Sequence, residues 1–252
     1  MGSCLFASVF ASWLSNVSTA DRDVYFRETM VQYLLLIAAL VVTIAASLYV
    51  NSTAKKFSQV RVRCGKTGAE IAYSILKANG LGDIPVSQSG NGASLSDHYD
   101  PKNRSIVLSA DVYGRSTVTA VAVAAHECGH ALQHAQGYGP LKLRTSIAPA
   151  VSTANMFSWI LIVIGILFAL TPFTMIGVIL FIVVIAFQLI TLPVEFNASG
   201  RALAILGNSG ILTEEEYKGA RKVLTAAAMT YVASLASSVL TLIRLIMLTR
   251  RR

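Results

Sequence analysis

Apolar positions in this chain cluster into long runs, and the runs predict its main elements. Residues 33–50 carry no charge and are followed closely by Lys55, Lys56, Arg61 and Arg63, the pattern of a spanning helix with a cationic flank. Residues 156–170 and 173–192 are two further uncharged runs, parted only by Thr171 and Pro172. So short a connection predicts a helical hairpin. Residues 225–248 form a fourth run, broken by Arg244 near its end, where a long side chain can reach the head groups beside Arg250, Arg251 and Arg252.

Residues 51–155 read differently, with mixed polarity and frequent turn residues. Ala69, Ile71, Ala72, Ile75 and Leu76 recur at helical spacing between Thr67, an N-cap, and Gly80, a helix terminator. Residues 94–99 and 105–108 flank the turn Asp100-Pro101-Lys102-Asn103 and predict a small hairpin. Ser116 or Thr117 then caps a longer helix that reaches about Gln136. The fold class expected is a mainly α integral membrane protein with four transmembrane helices and a small α+β, zincin-like domain. Its segments are an N-terminal extension (1–29), a first span (30–50), the domain (51–155), the hairpin (156–193), a connecting segment with a helix (194–224), and a last span with a basic C-terminus (225–252). The apolar stretch at 5–14 lacks a basic leader, so it reads as an interfacial extension rather than a cleaved signal.

Composition agrees with the runs. Of 252 residues, 54% are hydrophobic and 13% charged, against about 25% charged in a soluble domain. A soluble globular protein is excluded. The net charge of +8 comes without a basic-aromatic platform, so it speaks for membrane orientation and against a nucleic-acid partner. Basic residues gather on the domain side of the spans, which predicts a multi-pass plasma-membrane protein with its domain in the cytoplasm. The terminal arginines pull the other way. Cys4, Cys64 and Cys128 are scattered and odd in number, so no disulfide framework is expected.

The predicted domain helix contains His126-Glu127-Cys128-Gly129-His130. Imidazoles four residues apart share one helix face and can reach one zinc ion, and the intervening Glu127 is placed to act as general base. Chance yields such a pattern in a chain of this length on the order of one per cent of the time. However, the helix leading into it, 118–125, is almost wholly apolar, and buried imidazoles and a carboxylate need a partner. His134 continues the stripe, but eight residues of helix put it roughly 12 Å from His126, too far to share an ion. A catalytic zinc takes a third protein ligand. Glu195, at the end of the third run, is the candidate, because a carboxylate beside a membrane helix is costly unless ligated or paired. Its pairing alternative is Arg201.

The segments HECGHALQHAQGYGPLKLR, LSDHYDP and TLPVEFNASGRAL together resemble the YugP-type membrane-bound neutral zinc metallopeptidases of bacteria, over residues 55–248. More distantly, the chain is similar to HtpX-type and CAAX prenyl endopeptidases. The resemblance implies Zn²⁺ on His126, His130 and Glu195, with Glu127 as base. Where the distant relatives carry Asp four residues after the third ligand, this chain has Ser199. Asn197 or Ser199 could orient a ligand in its place, and His134 and Arg201 could stand just behind the ligands. The function expected is a membrane-anchored zinc endopeptidase acting on a peptide or membrane-protein substrate. The alternative is a non-catalytic scaffold whose zinc ties the domain to the third span, with His134 filling the fourth position. A transporter is disfavoured, since the runs hold almost no ionisable residues. Arg201, Tyr231 and His98 are the conceivable oxyanion donors, and spacing does not choose among them. Residues near His98 could also offer a strand edge to an extended peptide.

Overall fold

The computed structural model describes residues 19–90 and 97–250. Seven helices and three strands follow in order: α1 (Thr19–Phe57), α2 (Gly68–Ala78), β1 (Val86–Gln88), β2 (His98–Asp100), β3 (Ser105–Leu108), α3 (Ala110–Tyr113), α4 (Val118–Ala135), α5 (Gly139–Leu167), α6 (Thr171–Asn208) and α7 (Glu214–Arg250). Cys4, Arg251, Arg252, residues 94–96 of the expected hairpin and most of the N-terminal extension lie outside the described residues. From Thr19 onward that extension is helical and continuous with the first span.

Four helices, α1, α5, α6 and α7, are long and apolar enough to cross a membrane, which makes this a mainly α membrane protein with a small three-stranded sheet. On α1, Leu34, Ile37, Leu40, Val41, Ile44 and Leu48 are all exposed, as expected of a helix whose solvent is lipid. The hairpin α5–α6 closes on small residues. A Cβ on Gly177 would lie 2.7 Å from Ile162 Cγ1, and Ser158 Oγ donates to the Gly177 carbonyl at 2.8 Å. Close backbone approach of this kind is how helices associate in lipid.

The helices run past the composition boundaries. α6 has 38 residues, roughly 57 Å of helix, where about 20 residues cover the hydrocarbon core. Its excess length continues through Pro193 into the domain, so the third run and the segment bearing Glu195 are one rigid rod. Likewise α5 begins at Gly139, inside the segment assigned to the domain.

Domain elements follow the pattern more closely. Thr67 caps α2 in a full capping box, its hydroxyl accepting from the Glu70 amide while the Glu70 carboxylate accepts from the Thr67 amide. β2 and β3 form the antiparallel hairpin, with Tyr99 opposite Ile106. Parallel to β3 on its other side runs β1, with Val86 opposite Ile106. The sheet order is β1-β3-β2, so β2 is an edge. Ile71, Ile75, Leu76, Ile106, Leu108, Val118 and Val121 fill the domain core, and Ala202 and Leu206 of α6 and Val223 and Leu224 of α7 belong to the same core. The domain is therefore built partly on the ends of the membrane helices.

Candidate metal centre

Thr117 opens α4, its hydroxyl accepting from the Ala120 amide, and the helix carries His126, Glu127 and His130 into the space between the domain and the membrane helices. α6 crosses α4 at Gly129. A Cβ there would lie 2.5 Å from the Ala198 carbonyl oxygen, so only glycine permits this approach. Ala198 stands between Glu195 and Ser199, and the crossing sets both against the histidines.

Glu195 is 3% exposed. Its Oε2 lies 3.3 Å from His126 Nε2 and 3.6 Å from His130 Nε2, and its Oε1 is held by Arg144 of α5 at 2.8 Å. Among the described residues, His126, His130 and Glu195 form a group whose donor atoms all lie within 4.8 Å of one another. His134 is not in it. Its Nδ1 is 2.7 Å from the Tyr99 hydroxyl, a contact that ties the end of α4 to β2. Nor does Arg201 pair with Glu195. Its Nε donates to Asn197 Oδ1 at 2.7 Å and its NH1 to Gln136 Oε1.

The histidine orientations can be followed atom by atom. Arg201 only donates, which fixes the Asn197 oxygen, and the Val194 carbonyl only accepts, which fixes the Gln133 nitrogen. Gln133 Nε2 donates to Val194 O at 2.8 Å and to Asn197 Oδ1 at 3.0 Å. Gln133 Oε1 is therefore the atom facing His130 Nδ1 at 3.0 Å, and it can only accept. His130 carries a hydrogen on Nδ1 and turns Nε2 toward the carboxylate. Ser199 Oγ, 3.1 Å from His126 Nδ1, holds the other ring by a hydroxyl that can accept or donate. Two ring nitrogens and a carboxylate oxygen thus converge on one point, an arrangement a cation resolves. Tetrahedral zinc with bonds of about 2.0–2.1 Å separates its ligand atoms by roughly 3.3 Å, so this donor set fits zinc.

Two cavities meet at this cluster. One, of about 580 Å³, lies between α1, α4 and α7. The other, of about 360 Å³, lies between the β2 edge and α5 and includes His98, Tyr99, Arg144 and Pro149. His126, Glu127, Glu195, Asp97 and Tyr231 line both. Asp97 is held at the junction by the Ser109 amide and hydroxyl, and burial pushes its carboxyl above the usual range. Cys128 faces away, its thiol donating to the Ala72 carbonyl, and burial pushes that thiol up, so it is a core side chain and no nucleophile.

Residues 32–250 match the profile of the family described as "Putative neutral zinc metallopeptidase". The chain belongs to this family. It is also 45% identical over 214 residues to "Putative membrane protease YugP" of Bacillus subtilis (strain 168), across 85% of this chain and 94% of that protein. No solved structure matches it significantly. Membership agrees with the resemblance drawn from the sequence motifs, and it makes zinc the metal to test against the donor set above.

Gln133 and Arg144 are the residues that sequence reasoning passed over. Gln133 lies three residues after His130, on the neighbouring helical position, and that spacing was a readable signal. Arg144 carried no assigned role, because nothing local announces that α5 returns to α4.

Proposed function

We propose that this protein is a membrane-anchored zinc endopeptidase, with His126, His130 and Glu195 holding the metal and Glu127 as general base. The observation that carries the reading is the convergence of these three donors beside Glu127 at the junction of two cavities. A zinc ion in that cluster supplies Lewis acidity toward water and the scissile carbonyl. Glu127, 7% exposed, takes a proton from the attacking water and returns it to the departing amine. Ser199 and Gln133 hold the two rings, and Arg144 holds the far oxygen of Glu195 so that the near one faces the histidines. Tyr231 lines both cavities beside Glu127 and is the hydroxyl we assign to the developing oxyanion, whereas Arg201 is engaged elsewhere.

An extended peptide would lie along the β2 edge, in the groove that includes His98. The basic residues flanking the spans support a cytoplasmic domain. A scaffold role calls for a fourth protein donor, and His134, the side chain suited to it, is turned to Tyr99. The test pairs metal content with turnover in detergent-purified protein. We expect one zinc per chain, lost in Glu195→Ala, and peptide cleavage abolished in Glu127→Gln with zinc retained. Cleavage unchanged in Glu127→Gln would defeat the proposal.

A further inference from the structure

The two cavities differ in chemistry, and the difference bears on what is cut. Building on the peptidase reading, we propose that the substrate carries a bulky apolar side chain beside the scissile bond, seated in the 580 Å³ chamber, and that it arrives from the membrane–water interface. Val123 lies one turn before His126 and Glu127 on α4, and Ala227 one turn before Tyr231 on α7, so both walls are apolar up to the reacting groups. Leu224, Ala228, Ala120 and Ala54 extend this apolar lining, with Thr117 and Thr119 among its polar members, and the alanines leave the space open. Its volume falls within the range of about 300–1,000 Å³ for sites that enclose a ligand.

Of the charged residues in the lining, Lys55, Asp111 and Arg115 sit at the mouth, whereas Asp97 stands with Glu127 and Glu195 at the junction of the two cavities. Lys55 is exposed, and Asp111 and Arg115, both more than half exposed, are paired at 2.7 Å. A charged substrate side chain driven to the chamber's interior would lose its hydration among alanines and valines. By contrast, the groove along β2 offers His98, Lys102 and Arg144. The mouth lies at the last turns of α1, beside the cationic flank Lys55 and Lys56, and Ala227 stands where the apolar run of α7 begins. A cationic flank and the start of an apolar run are the marks of a bilayer boundary, so on this proposal a segment next to a membrane anchor reaches the chamber directly.

The experiment uses the full-length, zinc-loaded protein in bicelles and a peptide library varied on both sides of the cut, with products read by mass spectrometry. Wild type is expected to cut beside Leu, Ile, Met or Phe at least tenfold faster in kcat/KM than beside Asp or Lys at the same position. Ala227→Phe, which narrows the chamber next to Tyr231, should move the preference toward smaller side chains by about tenfold or more, and Val123→Ala, which widens it next to His126, toward larger ones. Opposite shifts from opposite changes in volume cannot come from misfolding. A library peptide joined to an apolar anchor helix should be cut faster than the free peptide. Glu127-dependent cleavage with no apolar preference, or a preference that neither variant moves, overturns the chamber and leaves the peptidase intact. Equal rates for anchored and free peptide overturn the interfacial route. No Glu127-dependent cleavage at all overturns the peptidase reading, and this inference falls with it.

Discussion

Gln133 is fully buried and turns both ends of its amide to the site: its oxygen accepts from His130, and its nitrogen donates to the backbone and a side chain of α6. Gln133→Ala would leave His130 free to turn and would cut the tie from α4 to the Val194 carbonyl and Asn197 Oδ1 of α6. On the proposed site, zinc affinity should fall about 10–100-fold, as measured by chelator competition. Stability should drop by about 1–3 kcal/mol from the lost buried hydrogen bonds between α4 and α6. Unaltered affinity would mean that the ring is held by packing alone. His126, Glu127 and His130 were legible because their geometry is local to one helix. Glu195 was legible because an acid at the end of an apolar run demands a partner, and its non-metal partner proved to be Arg144 rather than the nearby Arg201. The chain from Gln133 through Asn197 to Arg201 joins two helices more than sixty residues apart, and no local pattern encodes it.

Elements were legible to the extent that periodicity or run length marks them. The four apolar runs became α1, α5, α6 and α7, and Thr67, read as an N-cap, marked the start of α2. β1 was not foreseen. Three residues, two of them exposed and polar, carry no alternation, and a parallel strand needs its neighbour β3 to exist. The overshoot of α6 was missed for a different reason: leaving lipid changes the side chains a helix prefers but not its backbone hydrogen bonds. What aims that rod is the crossing at Gly129. Gly129→Ala should force α4 and α6 apart, costing about 1–3 kcal/mol and moving Glu195 and Ser199 away from His126. Gly200→Ala, on the same helix with open space at its Cβ, is the control. We expect the first variant to lose both zinc and thermal stability in detergent, and the second to keep both or gain about 1 kcal/mol from helix propensity.

At the scale of the whole molecule, the domain and the membrane helices share a core, since Leu206, Val223 and Leu224 pack with Ile71 and Val118. Hydrogen bonds to the backbone reinforce this union: Glu216, buried at the start of α7, accepts from the Arg63 amide at 2.6 Å and from the Thr213 amide at 2.8 Å. The proposed zinc would span the same boundary, drawing two ligands from α4 and one from α6. A ligand that binds only the docked state stabilises it by about 2.7 kcal/mol at a hundredfold excess over Kd. For a chain of this size that is a rise in Tm of roughly 5–10 °C. Chelation should therefore lower the Tm of the wild type by about that amount. It should leave the Tm of Glu195→Ala nearly unmoved, because two histidines on α4 alone do not tie the domain to α6. A chelator shift of equal size in both would place the metal's contribution within α4, and Glu195 would then be no more than the partner of Arg144.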